Sequence, residues 1–156
     1  MTKSLLLIVS HAIVAALGFA AGIYYLPILT APPAPSTAEV QAVAARAMYS
    51  AEFRKNLAGS DALHWGEGRV SITAERISLQ GEIAPGPDYK LYLSPKFVET
   101  EAQFNAVKDQ MTRVGDVRTF KNFVVDLPPD VNLADFTTVV IWCEAFGEFI
   151  SAAQYR

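Results

Sequence analysis

Cysteine and histidine are scarce in this 156-residue chain, which has one of the first and two of the second. With Cys143 alone, no disulfide can close within the chain. The Cys-x-x-Cys spacing of thioredoxin-type exchange, zinc ribbons and covalent haem attachment is missing too. Stability must therefore come from packing. The histidines are His11 and His64. His11 falls in an uncharged apolar run, so the remainder has one imidazole and cannot build a multi-histidine metal site. A Ser-His-Asp triad would rest on His64 with no nucleophile elbow to accompany it. Basic charge is scarce as well: a formal net charge of −3 and a pI near 5.3 supply no cationic face for phosphates. Nucleic acid is not an expected partner. Gly66 and Gly68 precede neither a helix start nor a phosphate-loop lysine, so they are expected to serve a bend.

Charge is also absent between Lys3 and Glu39. Leu5 to Leu26 gives about 22 uncharged residues, enough to cross roughly 30 Å of hydrocarbon as a helix. The expectation is a transmembrane anchor over 1–29 that meets the lipid bilayer through residues 5–26. A cleaved signal ending near Ala20-Ala21-Gly22 is the alternative. Lys3 before the span places the N-terminus inside and the remainder outside. Gly18 and Gly22 form a G-x-x-x-G pair that would let two copies pack as a homodimer, or they are simply small residues in an Ala-rich helix. His11 is a polar group at membrane depth and carries no further argument.

Pro32, Pro33 and Pro35 make 30–37 an extended linker. Ser36 with Glu39 has the form of a capping box, and Val40, Val43, Ala47 and Leu57 predict a helix over about 38–57, closed by Gly59. Period-two alternation then predicts strands at 69–73 and 77–83. Ala84-Pro85-Gly86-Pro87-Asp88 is a turn signal that feeds a strand from Tyr89 to Leu93. Ser94-Pro95 predicts the start of a helix over about 95–109. After Gly115, further strands are expected at 120–127, 137–146 and 149–155. The fold class is mainly β, an antiparallel sandwich or barrel-like domain over 38–156 with one or two peripheral helices.

Within 137–146, Cys143 shares a face with Thr137, Val139, Ile141 and Ala145, the face expected to be buried. The opposite face, with Val140, Trp142, Glu144 and Phe146, is also largely apolar, so which side is the core stays open. A cysteine buried among apolar groups has a raised pKa and is inert. His64 lies in a loop with Asp61 and Trp65, where an imidazole can ligate iron or lower the pKa of a nearby thiol. Glu99, Glu101, Asp126, Asp130 and Asp135 are expected to be solvated.

Three strings carry a resemblance: His64-Trp65-Gly66-Glu67-Gly68-Arg69-Val70, Ala84-Pro85-Gly86-Pro87-Asp88-Tyr89-Lys90-Leu91-Tyr92-Leu93-Ser94, and Val139-Val140-Ile141-Trp142-Cys143-Glu144-Ala145-Phe146. Together, over roughly 48–155, they resemble the DM-thirteen domain family, found in animal cell-surface proteins and bacterial anchored proteins. The resemblance implies a β-rich domain of an electron-transfer system, with a shared cysteine that acts as a bare thiol or holds a prosthetic group such as haem. The matching position is Cys143. It is the expected redox centre and cofactor contact, with His64 second. No DOMON or other redox domain accompanies it here, so the expectation is a module that is not a self-sufficient enzyme. It would sit in the bacterial inner membrane by a single pass, its C-terminal domain in the periplasm facing a redox or protein partner of the cell envelope. The alternative is a non-catalytic binding or scaffolding module in which Cys143 is structural.

Overall fold

A computed structural model describes residues 2–156. It opens with helix α1 (Lys3–Thr30), uncharged after Lys3 and continuous through Pro27. None of its residues is buried, and it is long and apolar enough to cross a membrane. An extended segment leads to α2 (Thr37–Ala44), whose capping box forms as its sequence implies. The backbone N–H of Glu39 donates to Ser36 Oγ, and Glu39 Oε2 accepts from the backbone N–H of Ser36. Val40 and Val43, one turn apart, are buried where α2 packs on the strands.

Eight strands make two antiparallel sheets. The first contains β1 (Tyr49–Phe53), β2 (Gly66–Ile72), β3 (Arg76–Ile83) and β6 (Lys121–Asp126), in the order β1-β2-β3-β6. The second contains β4 (Tyr89–Ser94), β5 (Thr112–Val117), β7 (Thr138–Cys143) and β8 (Glu148–Gln154), in the order β5-β4-β7-β8. Side chains alternate across each strand, so Val70, Ile72, Ile77 and Leu79 meet Leu91, Leu93, Val139 and Ile141 in the core between the sheets. The outer face of the second sheet is covered in turn. Tyr92, Val140, Trp142 and Phe149 pack against Phe104 of α3 (Glu101–Val107). Strand β7 is thus buried on both faces, which answers the question its two apolar stripes leave open.

Several local expectations are corrected. The helix expected to reach residue 57 stops at Ala44, and Tyr49–Phe53 is a strand. Good helix formers give way because Ala51 and Phe53 can bury on one side of the sheet beside Val70. Gly59 ends no helix; its N–H donates to Glu99 O at 2.7 Å. The helix expected from Ser94 begins only at Glu101, with Thr100 as N-cap. Ser94 closes β4 instead, fully buried, its Oγ donating to Lys96 O at 2.6 Å. Strand β5 went unforeseen because Gly115 reads as a turn residue. A Cβ there would meet Val125 Cγ1 at 2.8 Å, so the missing side chain allows a close approach between the sheets. Strand 137–146 is shorter, ending at Cys143, where Gly147 at φ +69° returns the chain into β8. Gly68 makes more than a bend: it has φ +126° opposite Gly81, and a Cβ on either would run into the facing backbone.

Candidate functional site

At one end of the sandwich the sequence folds three loops and the long apolar helix α1 around a cleft of about 310 Å³. Cys143, the last residue of β7, pairs with Tyr89 on one side and Glu148 on the other. Its side chain points between the sheets and is 2 % exposed, yet it forms part of the cleft wall. The 84–88 loop crosses above it and is tied down at both ends. Ala84 N–H donates to Trp65 O at 2.9 Å, and Glu144 N–H donates to Asp88 O at 3.1 Å. This fixes the Pro87 carbonyl, which accepts from Cys143 Sγ at 3.0 Å. Burial raises the Cys143 pKa, outweighing the backbone N–H groups of Phe146 and Ala145 that favour a thiolate, and nearby Asp88 and Glu148 add to the rise. Cys143 is therefore a protonated thiol at neutral pH, and a proton acceptor is needed before its sulfur can react.

His64 lines the same cleft from the loop before β2. Asp61 positions it: Oδ1 accepts the N–H groups of Leu63 and His64 at 2.7 and 2.8 Å, while Oδ2 lies 3.0 Å from His64 Nδ1. The hydrogen bond to His64 leads in holding the Asp61 carboxyl below its ordinary value. With Asp61 ionised, Nδ1 carries the proton and Nε2 is left as the basic nitrogen. Cys143 and His64 thus lie some eighty positions apart in sequence and share one cavity. Glu148, Pro87 and the exposed Phe146 complete its polar and apolar walls, with Asp61 bonded to His64, and of these the Asp-x-x-His spacing alone is a signal visible in sequence. The buried Tyr89, whose hydroxyl pKa burial pushes up, lies beside Cys143 and T-stacks on Phe120 at 6.1 Å.

The other expected polar groups lie elsewhere. His11 Nδ1 sits 2.8 Å from Leu7 O within α1. Gly18 and Gly22 are open, with nothing within 4 Å of a Cβ added at either. Glu99 and Glu101 have partners: Glu99 Oε2 accepts Ala58 N–H at 3.2 Å and Glu101 Oε1 accepts Phe149 N–H at 3.3 Å. Among the described residues, no three or more His, Cys, Asp or Glu side chains cluster as a metal site.

Residues 52–155 match the family described as Electron transfer DM13, a stretch that includes nearly all of both sheets and every cleft-lining residue except those of α1. The chain belongs to the DM13 family. No curated protein and no solved structure matches the chain. The DM13 match starts within β1, so α1, the linker and α2 lie outside it. Haem can be weighed against the DM13 cleft directly. Thiolate and imidazole are both axial-ligand types. Here, however, the sulfur is a thiol committed to Pro87 O, and the cleft is near the lower end of the roughly 300–1,000 Å³ usual for small-molecule sites. These residues do not fit a haem.

Proposed function

We propose that this DM13 chain is a membrane-tethered redox module, standing on the periplasmic side of a bacterial inner membrane, in which Cys143 exchanges electrons with a cell-envelope partner. The observation that carries the reading is the meeting of Cys143 and His64 in one cleft of a DM13 domain. Because a lone cysteine has no internal partner, the chemistry consistent with the geometry is exchange with an external disulfide. His64 Nε2 takes the proton from Sγ, whose bond to Pro87 O breaks. The thiolate attacks one sulfur of the partner's disulfide, a new S–S bond forms and the old one breaks. The departing thiolate then takes the proton from His64. The electron pair of the broken S–S bond leaves with the departing sulfur, which is reduced by one oxidation level as the Cys143 sulfur is oxidised by one in the mixed disulfide. Tethering rests on α1, with Lys3 on the cytoplasmic side. Gly18 and Gly22 are its candidate self-association face. Replacing either with Ile should weaken dimerisation in a membrane reporter assay by separating the backbones.

The test follows alkylation of Cys143 against pH in the full chain, native and His64→Ala, together with formation of a 1:1 mixed disulfide with an aromatic disulfide. The rate should climb with pH, as a raised thiol pKa requires, and His64→Ala should slow it several-fold near neutrality. A thiol that stays unmodified until the chain unfolds would remove the redox reading. It would leave a second one, a non-catalytic envelope-binding module with a structural cysteine, which the 2 % exposure of Cys143 favours.

A further inference from the structure

Four large apolar side chains of the β domain and its loops are well exposed: Met48 at 60 %, Leu63 at 57 %, Phe97 at 41 % and Phe146 at 55 %. They divide between the two ends of the sandwich. Met48 precedes Tyr49, which pairs with Ile72, and Phe97 follows Ser94, which pairs with Thr138; both lie at the end away from the cleft. Leu63 and Phe146 instead sit on two different loops at the cleft mouth.

The same mouth is lined by Ala20, Ile23 and Tyr24 of α1. Starting at Lys3, a helix rising 1.5 Å per residue leaves roughly 30 Å of hydrocarbon near residue 23. Ala20 to Tyr24 therefore mark the outer boundary of the bilayer, and Tyr24 and Tyr25, edge to face at 5.2 Å, are the residue type that settles there. Further along the helix its surroundings change. Around Leu26, Pro27 and Thr30 a second cavity, about 390 Å³, is walled by Lys90, Asp116 and Arg118. From Ala20 to Thr30 the surface beside the helix thus passes from mainly apolar, with His64 and Glu148 its polar members, to more densely charged, with Asp88, Lys90, Asp116 and Arg118, in the order that a boundary between acyl chains and head groups would impose.

We propose that Leu63 and Phe146 seat this end of the domain in the outer face of the lipid bilayer, so that the Cys143 cleft opens at the head-group boundary and admits molecules dissolved in the lipid. This rests on α1 being a membrane anchor, and it narrows the partner of Cys143 to apolar molecules or membrane-resident surfaces. Leu63 and Phe146 would bury apolar surface while the charged wall stays among head groups. Met48 and Phe97, at the opposite end, stay in water.

The experiment uses the full chain in phosphatidylcholine vesicles. In a Cys143→Ser background, nitroxide labels are placed singly at 48, 63, 97 and 146, and collisions with oxygen are compared with those of a water-soluble nickel chelate. The oxygen-to-nickel ratio should be several-fold higher at 63 and 146 than at 48 and 97. With the native chain, Cys143 should react several-fold faster with a long-chain apolar maleimide than with a charged one, and the two rates should converge in denaturant. Equal ratios at all four labels, in a chain that resists alkaline carbonate extraction, would overturn the seating and leave the anchor intact. A chain released by carbonate would overturn both. Should the labelled variants unfold, the maleimide comparison decides alone, and equal rates in vesicles would overturn the proposal.

Discussion

Cys143 and Trp142 are adjacent in β7 and equally hidden, each 2 % exposed, yet their surroundings differ in kind. Trp142 faces outward and is closed over on that side. Phe104 stacks on it at 3.9 Å with ring planes 5° apart, and Lys108 Nζ lies 5.6 Å from the centre of each ring. Lys108 also holds Glu144 Oε2 at 2.9 Å, while Tyr92 donates to Glu144 Oε1. Cys143 faces inward and has packing on one side and a cleft on the other. Low exposure therefore describes two conditions, a side chain enclosed by its neighbours and a side chain that forms part of a wall. Only the second sets an atom at the edge of a space that another molecule can enter.

The largest effect expected from breaking this contrast comes from the enclosed side. Trp142→Ala should cost about 3–5 kcal/mol in urea unfolding, because Phe104 and Phe149 cannot fill the space. Folded protein of that variant should keep the native rate of Cys143 alkylation; a large change would mean that the two faces are coupled. A smaller effect should follow Glu144→Gln. Burial raises the Glu144 pKa, but hydrogen bonds from Tyr92 and Lys108 outweigh it and leave the carboxyl below its ordinary value of 4.5. A carboxylate depressed in the fold stabilises fully above that value and loses its contribution as pH falls through the folded pKa. The variant should therefore be about 0.5–1 kcal/mol less stable at pH 7, after discounting for solvent, and should converge with the native chain in acid. A deficit that does not change with pH would assign the loss to shape. The smallest effect belongs to the cleft wall: Cys143→Ser, whose hydroxyl can still donate to Pro87 O, should cost under about 1 kcal/mol. The native thiol, raised in the fold, contributes stability below its ordinary value of 9.0 and loses it at higher pH. Serine should thus flatten part of the alkaline decline.

Strand identity was legible where a strand alternates between core and surface, as in β2 and β3, and where a bounded apolar run fills both faces, as in β7. It failed where another cause chose the residues. The glycine that allows the sheets to approach at Gly115 looks like a turn, and the helix formers around Ala45 and Ala47 hide the strand that follows. Ser94-Pro95 has the local form of a helix start, but Ser94 is held in β4 by pairing with Thr138 and by burial, neither of which is local. The site divides the same way. Cys143 could be placed on its face by counting along one strand, and His64 stood out by the lack of other histidines. The cleft joining them needs Pro87, Phe146 and α1, brought together only by tertiary contacts.

Asn122 has φ +46° at the irregularity where β3 and β6 lose register, its Oδ1 accepting from Gly81 N–H at 3.1 Å. Its Nδ2 reaches out to donate to the Pro35 carbonyl, also at 3.1 Å, almost at the end of the proline segment. The segment between α1 and α2 is thus fastened to the domain it carries, and behaves as a short leash with its far end knotted instead of a free-swinging arm. The domain has little freedom to search the space around its anchor. With α1 as the proposed membrane anchor, encounters would depend on lateral diffusion in the plane of the membrane and on how a passing molecule is oriented, and cutting the knot with Asn122→Ala would lengthen the leash without altering a single residue of the cleft.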